Sequence, residues 1–272
     1  MNSNSKEKSA KKFVQLLEIM EKLRGPQGCP WDKEQNHKTL IPYLVEETYE
    51  VIDALENKNK SQFEDELGDL LFQVIFHSQI AQEENQFDIN GVLQAIIDKL
   101  TRRHPHVFGD TKVKDASEVV HNWEQIKASE KMGDPSLSIL SEIPVSLPSL
   151  LKAYKLGKKV SQVGFDWPSL DGVFSKVKEE IEELQQAIQN QNKMEILEEL
   201  GDLLFSISNL ARFLKINPEE ALRQTNEKFS RRFQFIEKKL REEKKSFKNT
   251  SLEEMDKIWN EAKLHEKNFP QS

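Results

Sequence analysis

The sequence predicts an all-α protein, a tandem repeat of two related helical-bundle modules. Three observations carry that expectation. The 272 residues include only 10 Gly and are rich in Glu, Lys, Leu and Gln, which favours helix over sheet. No segment sustains apolar–polar alternation at a period of two between turn signals, the pattern of a half-buried strand. Finally, one acidic motif occurs twice. Glu46-Glu47-Thr48-Tyr49-Glu50 precedes Glu66-Leu67-Gly68-Asp69-Leu70-Leu71-Phe72, and Glu179-Glu180-Ile181-Glu182-Glu183 precedes Glu199-Leu200-Gly201-Asp202-Leu203-Leu204-Phe205. Glu47 to Glu66 and Glu180 to Glu199 are both 19 positions, and the copies lie 133 positions apart, close to half the chain. Self-similarity on this scale indicates a duplicated structural unit.

Taken in order, residues 1–8 read as a frayed tail. Phe13, Leu16, Leu17, Met20 and Leu23 have helical spacing over Lys11 to Leu23. Gly25-Pro26-Gln27-Gly28-Cys29-Pro30-Trp31-Asp32 breaks that pattern and predicts a loop. A helix over about Leu40 to Asn57 carries the first acids. Ser61 with Glu64 has the form of a capping box opening the next helix, to about Asn85. The stripe Leu67, Leu70, Leu71, Val74 and Ile75 on that helix predicts a core-facing surface. Further helices are expected from Asn90 to Arg103, ended by Pro105, and from Asp115 to Lys131. Met132 to Pro148, with Gly133, Pro135, Pro144 and Pro148, is the expected linker between modules 1–131 and 149–272.

In the second module, helices are expected over about 149–162, 170–190 and 193–214. Val163-Gly164-Phe165-Asp166-Trp167-Pro168 echoes the earlier Gly/Pro loop. Asn217-Pro218-Glu219-Glu220 predicts a strong helix start: a cap, Pro at the first position, then acids. Ser251 with Glu254 caps the last helix, through Trp259 to about Lys267. Each connection between motif helices is only a few residues, so each pair is expected to pack antiparallel.

A net charge of −7 argues against a general nucleic-acid or acidic-membrane surface. The single Cys29 excludes an intrachain disulfide framework and fits a reducing compartment. No apolar run approaches the roughly 18 residues needed to span a bilayer, and Met1 to Lys12 lacks the apolar core of a secretory signal. The expectation is a cytoplasmic protein without membrane or nucleic-acid partners.

Residues three apart on a helix share a face. Glu47 with Glu50, and Glu66 with Asp69, therefore converge if their helices pack antiparallel; Glu180, Glu183, Glu199 and Asp202 do the same in the second copy. Four carboxylates so placed repel, and a hard divalent cation, Mg²⁺ or Mn²⁺, offsets the repulsion. No Cys or His cluster offers a zinc alternative. Gly68 and Gly201 sit mid-helix, where Gly costs about 1 kcal/mol relative to Ala, which points to close approach of a ligand or backbone. Lys99, Arg102 and Arg103 recur as Lys228, Arg231 and Arg232, a spacing suited to phosphate oxygens. Trp123 and Trp259 recur in matching contexts and suit a base or a core equally. His104 and His106, flanking Pro105, read as loop residues.

Together with Cys29-Pro30-Trp31-Asp32, Arg102-Arg103-His104-Pro105-His106-Val107-Phe108 and Val163-Gly164-Phe165-Asp166-Trp167, these acidic copies resemble the MazG nucleoside triphosphate pyrophosphohydrolases, from about Phe13 to Lys263. The resemblance implies two all-α modules, a homodimer, and Mg²⁺-dependent hydrolysis of nucleoside triphosphate to monophosphate and pyrophosphate with broad base tolerance. It also implies Glu180, Glu183, Glu199 and Asp202 as metal ligands. By the same resemblance, Lys176, Lys228, Arg231, Arg232 and Trp259 fall at nucleotide contacts. Glu179 and Glu46, each one residue before a ligand, are candidate general bases. A base-selective sibling (dUTP, dCTP or phosphoribosyl-ATP pyrophosphohydrolase) and a non-catalytic helical nucleotide-binding regulator are the competing readings. One asymmetry separates the copies: Lys176 lies one turn before Glu180, and Tyr43 occupies the matching position. The second module is therefore expected to be the main catalyst.

Overall fold

Residues 3–130 and 138–268 are described by the structure, a computed structural model, and every regular element among them is helical. The chain divides into two units, Met1–Gly133 and Asp134–Ser272. Among the described residues no helix is long and apolar enough to cross a membrane.

In the first unit, α1 spans Ser3–Arg24. It begins earlier than the sequence predicts, because Lys, Glu and Ala extend the helix and Lys11 pairs with Glu7 one turn away at 2.8 Å. The expected loop contains a short helix, α2 (Pro30–Glu34), opened by Pro30. Arg24 pins this loop: its guanidinium reaches the carbonyls of Asp32 and Gln35 and the Glu83 carboxylate at 2.6 Å. The acid-bearing hairpin is α3 (Ile41–Glu56) against α4 (Lys60–Glu83). Met20, Leu40, Ile75, Phe76 and Ile80 form the buried core beneath it. Next come α5 (Ile89–Arg103), α6 (Pro105–Phe108) and α7 (Ala116–Ser129). Asp88 caps α5 by accepting from the Gly91 N–H at 2.9 Å.

In the second unit, a 3₁₀ turn at Ile139–Glu142 packs on α8 (Ser149–Ser161), with Lys159 donating to Glu142 at 3.3 Å. This turn lies within the stretch expected as linker; residues 131–137 lie outside the described residues. The second acid hairpin is α9 (Leu170–Gln189) against α10 (Lys193–Phe213). α8 lies close on α10, since a Cβ on Gly157 would come within 2.7 Å of Asn209 Oδ1. α11 (Pro218–Glu242) starts at Asn217, whose side chain accepts from the Glu219 and Glu220 N–H groups. α12 (Leu252–Asn268) opens with a reciprocal capping box, Glu254 N–H to Ser251 Oγ at 3.2 Å and Ser251 N–H to Glu254 Oε2 at 3.1 Å. Ile236, Leu240 and Ile258 join α11 to α12.

Two expectations need correction. Asn59, not Ser61, caps α4, accepting from the Gln62 N–H, because the left-handed residue Lys58 (φ 52°) ends the turn early. The apolar stripe on α4 is a core surface of its own unit only in part. Ile75 is buried, but Leu67, Leu71 and Val74 are 44%, 41% and 39% exposed, and their counterparts Leu200, Leu204 and Ile207 are 44%, 47% and 43% exposed.

Candidate active site

The two hairpins share one construction. Asn57-Lys58-Asn59 and Asn190-Gln191-Asn192 connect their helices, with positive φ at the middle residue (52° and 54°) and an Asn cap at the third. The Asn59 N–H donates to Ala54 O and the Asn192 N–H to Ala187 O, over two buried alanines. The identical turn fixes the register of the second helix against the first. As a result, Glu47, Glu66 and Asp69 each bring one carboxylate oxygen within 4.8 Å of the others, and Glu180, Glu199 and Asp202 do likewise.

Glu50 and Glu183 lie beside these triads rather than in them. Loss of solvent and then Glu66 and Glu46 raise the Glu50 pKa, and Glu183 acts on Glu199. The Glu47 carboxyl is pushed above the usual range by burial and then by Asp69 and Glu50, with Gln73 donating to it in partial compensation. Glu199 is pushed up by burial, then by Glu183, Asp202 and Glu180. Carboxylates held this way favour a cation, and an all-oxygen donor set suits a hard divalent ion rather than zinc.

The electrostatics of the two triads differ. Among the described residues no Lys or Arg pairs with Glu47, Glu50, Glu66 or Asp69. In the second unit Glu180 is buried, and Lys176 Nζ meets it at 2.8 Å and Glu179 at 2.7 Å. Those two carboxylates raise the Lys176 pKa. Glu46 and Glu179 are exposed, one residue outside each triad.

The basic positions divide. Arg103 and Arg232 are held by carboxylates, Glu130 just past the end of α7 and Glu266 on α12, at 2.6 and 2.7 Å. Each also lies over a tryptophan: Arg103 over Trp123 at 5.4 Å and Arg232 over Trp259 at 5.6 Å. Arg102 joins Glu130 at 2.7 Å, and Arg231 is 4.0 Å from Glu227. Lys99 and Lys228 are exposed and form no ion pair among the described residues. Trp259 packs against Phe229 as well. His104 Nδ1 donates to Leu100 O at 2.7 Å and plays no part in either triad.

Sequence reading missed Gln73, whose role emerges only when α3 and α4 meet. It is buried, and its Oε1 has no partner among the described residues; one turn on, the enclosed Nε2 of half-buried His77 has none there either. A polar residue four positions after Asp69 on the motif face was the available signal. Among the described residues of its own unit, nothing lies within 4 Å of a would-be Cβ on Gly68 or on Gly201.

Duplicated helical hairpins that each converge three carboxylates make this an all-α protein with two acidic clusters suited to a cation. A profile described as the MazG nucleotide pyrophosphohydrolase domain matches residues 35–108 and 170–235, spanning both hairpins. The nucleoside triphosphate pyrophosphohydrolase of Escherichia coli (strain K12) is 48% identical over 256 residues, covering 92% of this chain and 97% of its own. The nucleoside triphosphate pyrophosphohydrolase/pyrophosphatase MazG of Thermotoga maritima is 45% identical over 251 residues, covering 92% and 95%. A solved structure of a mazG-related protein from Thermotoga maritima is 29% identical, covers 42% of this chain and 98% of its own, and has a TM-score of 0.38. The chain belongs to the MazG nucleotide pyrophosphohydrolase family and is an enzyme of that class.

Proposed function

We propose that the chain hydrolyses nucleoside triphosphates to nucleoside monophosphate and pyrophosphate, with Mg²⁺ (or Mn²⁺) held by each acidic hairpin and the second unit as the main catalyst. The observation that carries this reading is the convergence of Glu180, Glu199 and Asp202, with Glu183 beside them and a cation, Lys176, on the same face. Glu47, Glu66 and Asp69, with Glu50, are the matching ligands of the first unit. A bound divalent ion supplies charge neutralisation at the triphosphate and a more acidic water. Lys228 and Arg231, exposed and loosely tied, bind phosphate oxygens and the departing pyrophosphate. Arg232 and Trp259 form the wall against which the nucleoside lies, as do Arg103 and Trp123 in the first unit beside Lys99 and Arg102. Glu179 (Glu46 in the first unit) accepts the proton of the attacking water, and Lys176 orients it.

Residues 1–131 and 149–272 serve as the two modules, joined through 132–148. The exposed stripes Leu67-Leu71-Val74 and Leu200-Leu204-Ile207 support a homodimer that covers them. The lone Cys29 supports a cytoplasmic setting.

The test compares Glu180→Gln with Glu47→Gln, reading pyrophosphate release from a nucleoside triphosphate panel with Mg²⁺. Glu180→Gln is expected to lower kcat about 100-fold or more, and Glu47→Gln by much less. Equal losses, or a larger loss from Glu47→Gln, would remove the second unit from its leading role; products other than monophosphate and pyrophosphate would remove the reaction.

A further inference from the structure

The two acid clusters differ in one respect that the duplication does not predict. Lys176 Nζ lies 2.8 Å from Glu180 Oε1 and 2.7 Å from Glu179 Oε1, so an internal cation already neutralises part of the second cluster. Glu180 is 3% exposed, and apart from Lys176 no Lys or Arg among the described residues pairs with it. At the matching position of the first unit, Tyr43 stands edge-on to Trp31 with ring centroids 5.6 Å apart and brings no charge.

We propose that Lys176 is a built-in counter-ion that competes with the divalent ion in the nucleotide-free second unit, so that this unit takes up its ion together with the nucleotide while the first unit is charged beforehand. This rests on the assignment of both clusters as cation sites. A metal ion entering the second cluster must share Glu180 with an ammonium group. A single positive charge about 6 Å from a divalent ion, screened as fully as in bulk water, weakens binding about tenfold. When a triphosphate arrives, its oxygens offer Lys176 a second anionic partner. The lysine then turns from Glu180 to phosphate, and the carboxylate is released to the ion. Occupancy of the second unit thereby follows nucleotide concentration rather than free metal.

The experiment is a Mn²⁺ titration of the full chain, with free Mn²⁺ read by electron paramagnetic resonance and no turnover involved. Wild type is expected to show a tight and a weak class of site, about tenfold apart. An α,β-methylene nucleoside triphosphate analogue should close that gap. Lys176→Met should tighten the weak class toward the tight one without nucleotide. The reciprocal Tyr43→Lys should loosen the tight class, which keeps the test decisive if Lys176→Met fails to fold. Two equal classes in wild type, or affinities unmoved by both variants, would overturn the counter-ion role while leaving the cation sites intact. No bound Mn²⁺ at all would overturn the cation sites themselves, and this inference with them.

Discussion

Glu130 receives two guanidinium groups, from Arg103 at 2.6 Å and Arg102 at 2.7 Å, and they hold its carboxyl down at about 2, Arg103 contributing most. A carboxylate depressed on folding adds stability that is complete above its unfolded pKa, near 4.5, and is lost as pH falls through the folded value. Amide protection in α7 is therefore expected to hold at pH 6 and decline between about pH 4.5 and 2. Hydrogen exchange followed across that range checks it, and Glu130→Gln should flatten the profile. Such contacts mark where sequence reading stops. Glu47 with Glu50 and Glu66 with Asp69 were legible, because i, i+3 spacing places two acids on one face whatever else folds. Lys176 was legible for the same reason, one turn from Glu180. Gln73, Arg24 and Arg212 were not. Arg212 binds Asp166 (2.9 Å) across 46 residues and Arg24 binds Glu83 across 59, pairings with no local period. The arginine pairs read as phosphate binders also proved half committed, since no spacing rule shows that Glu130 and Glu266 sit opposite.

Among elements, the hairpin turns carry the clearest test. Gln191 occupies the left-handed region at φ 54°, which a side chain enters at a cost that glycine escapes. Gln191→Gly is expected to stabilise the second unit by about 1 kcal/mol or less, the left-handed cost of an L-residue less the extra unfolded-state entropy of glycine, read as a rise in the thermal unfolding midpoint. Asn192→Ala should lower it by a similar amount through loss of the α10 cap. A Gln191→Gly variant that melts earlier would show the turn is not under this strain. The helices were largely legible here, because Asn217-Pro218 and the Ser251/Glu254 box state their own starts. The α4 start was misplaced by two residues because Ser61 and Glu64 imitate a box while Asn59 is the actual cap. α2 went unseen: five residues are too few for a period, and its loop is dense in Gly and Pro.

Over the whole molecule, the duplication was evident at once, whereas the role of the apolar stripe was not. A periodic stripe shows that a face must be covered; it does not show by what. Leu200 and Leu204 remain exposed among the described residues of their unit, and nothing of that unit lies against Gly201 between them. In a monomer Gly201→Ala would gain about 1 kcal/mol of helix stability. With a second copy seated there, the added methyl group should instead force the copies apart. Light scattering is expected to show a dimer for wild type and a halved mass for Gly201→Ala; an unchanged mass with a higher melting point would count against the dimer. The three-residue connections have a last consequence. Each residue advances a helix by about 100°, so one amino acid added at Lys58 or Gln191 would turn Asp69 or Asp202 roughly a quarter turn away from its triad. That bend is therefore constrained in length as well as in its capping asparagine, and an insertion there would keep both helices while breaking the convergence of their carboxylates.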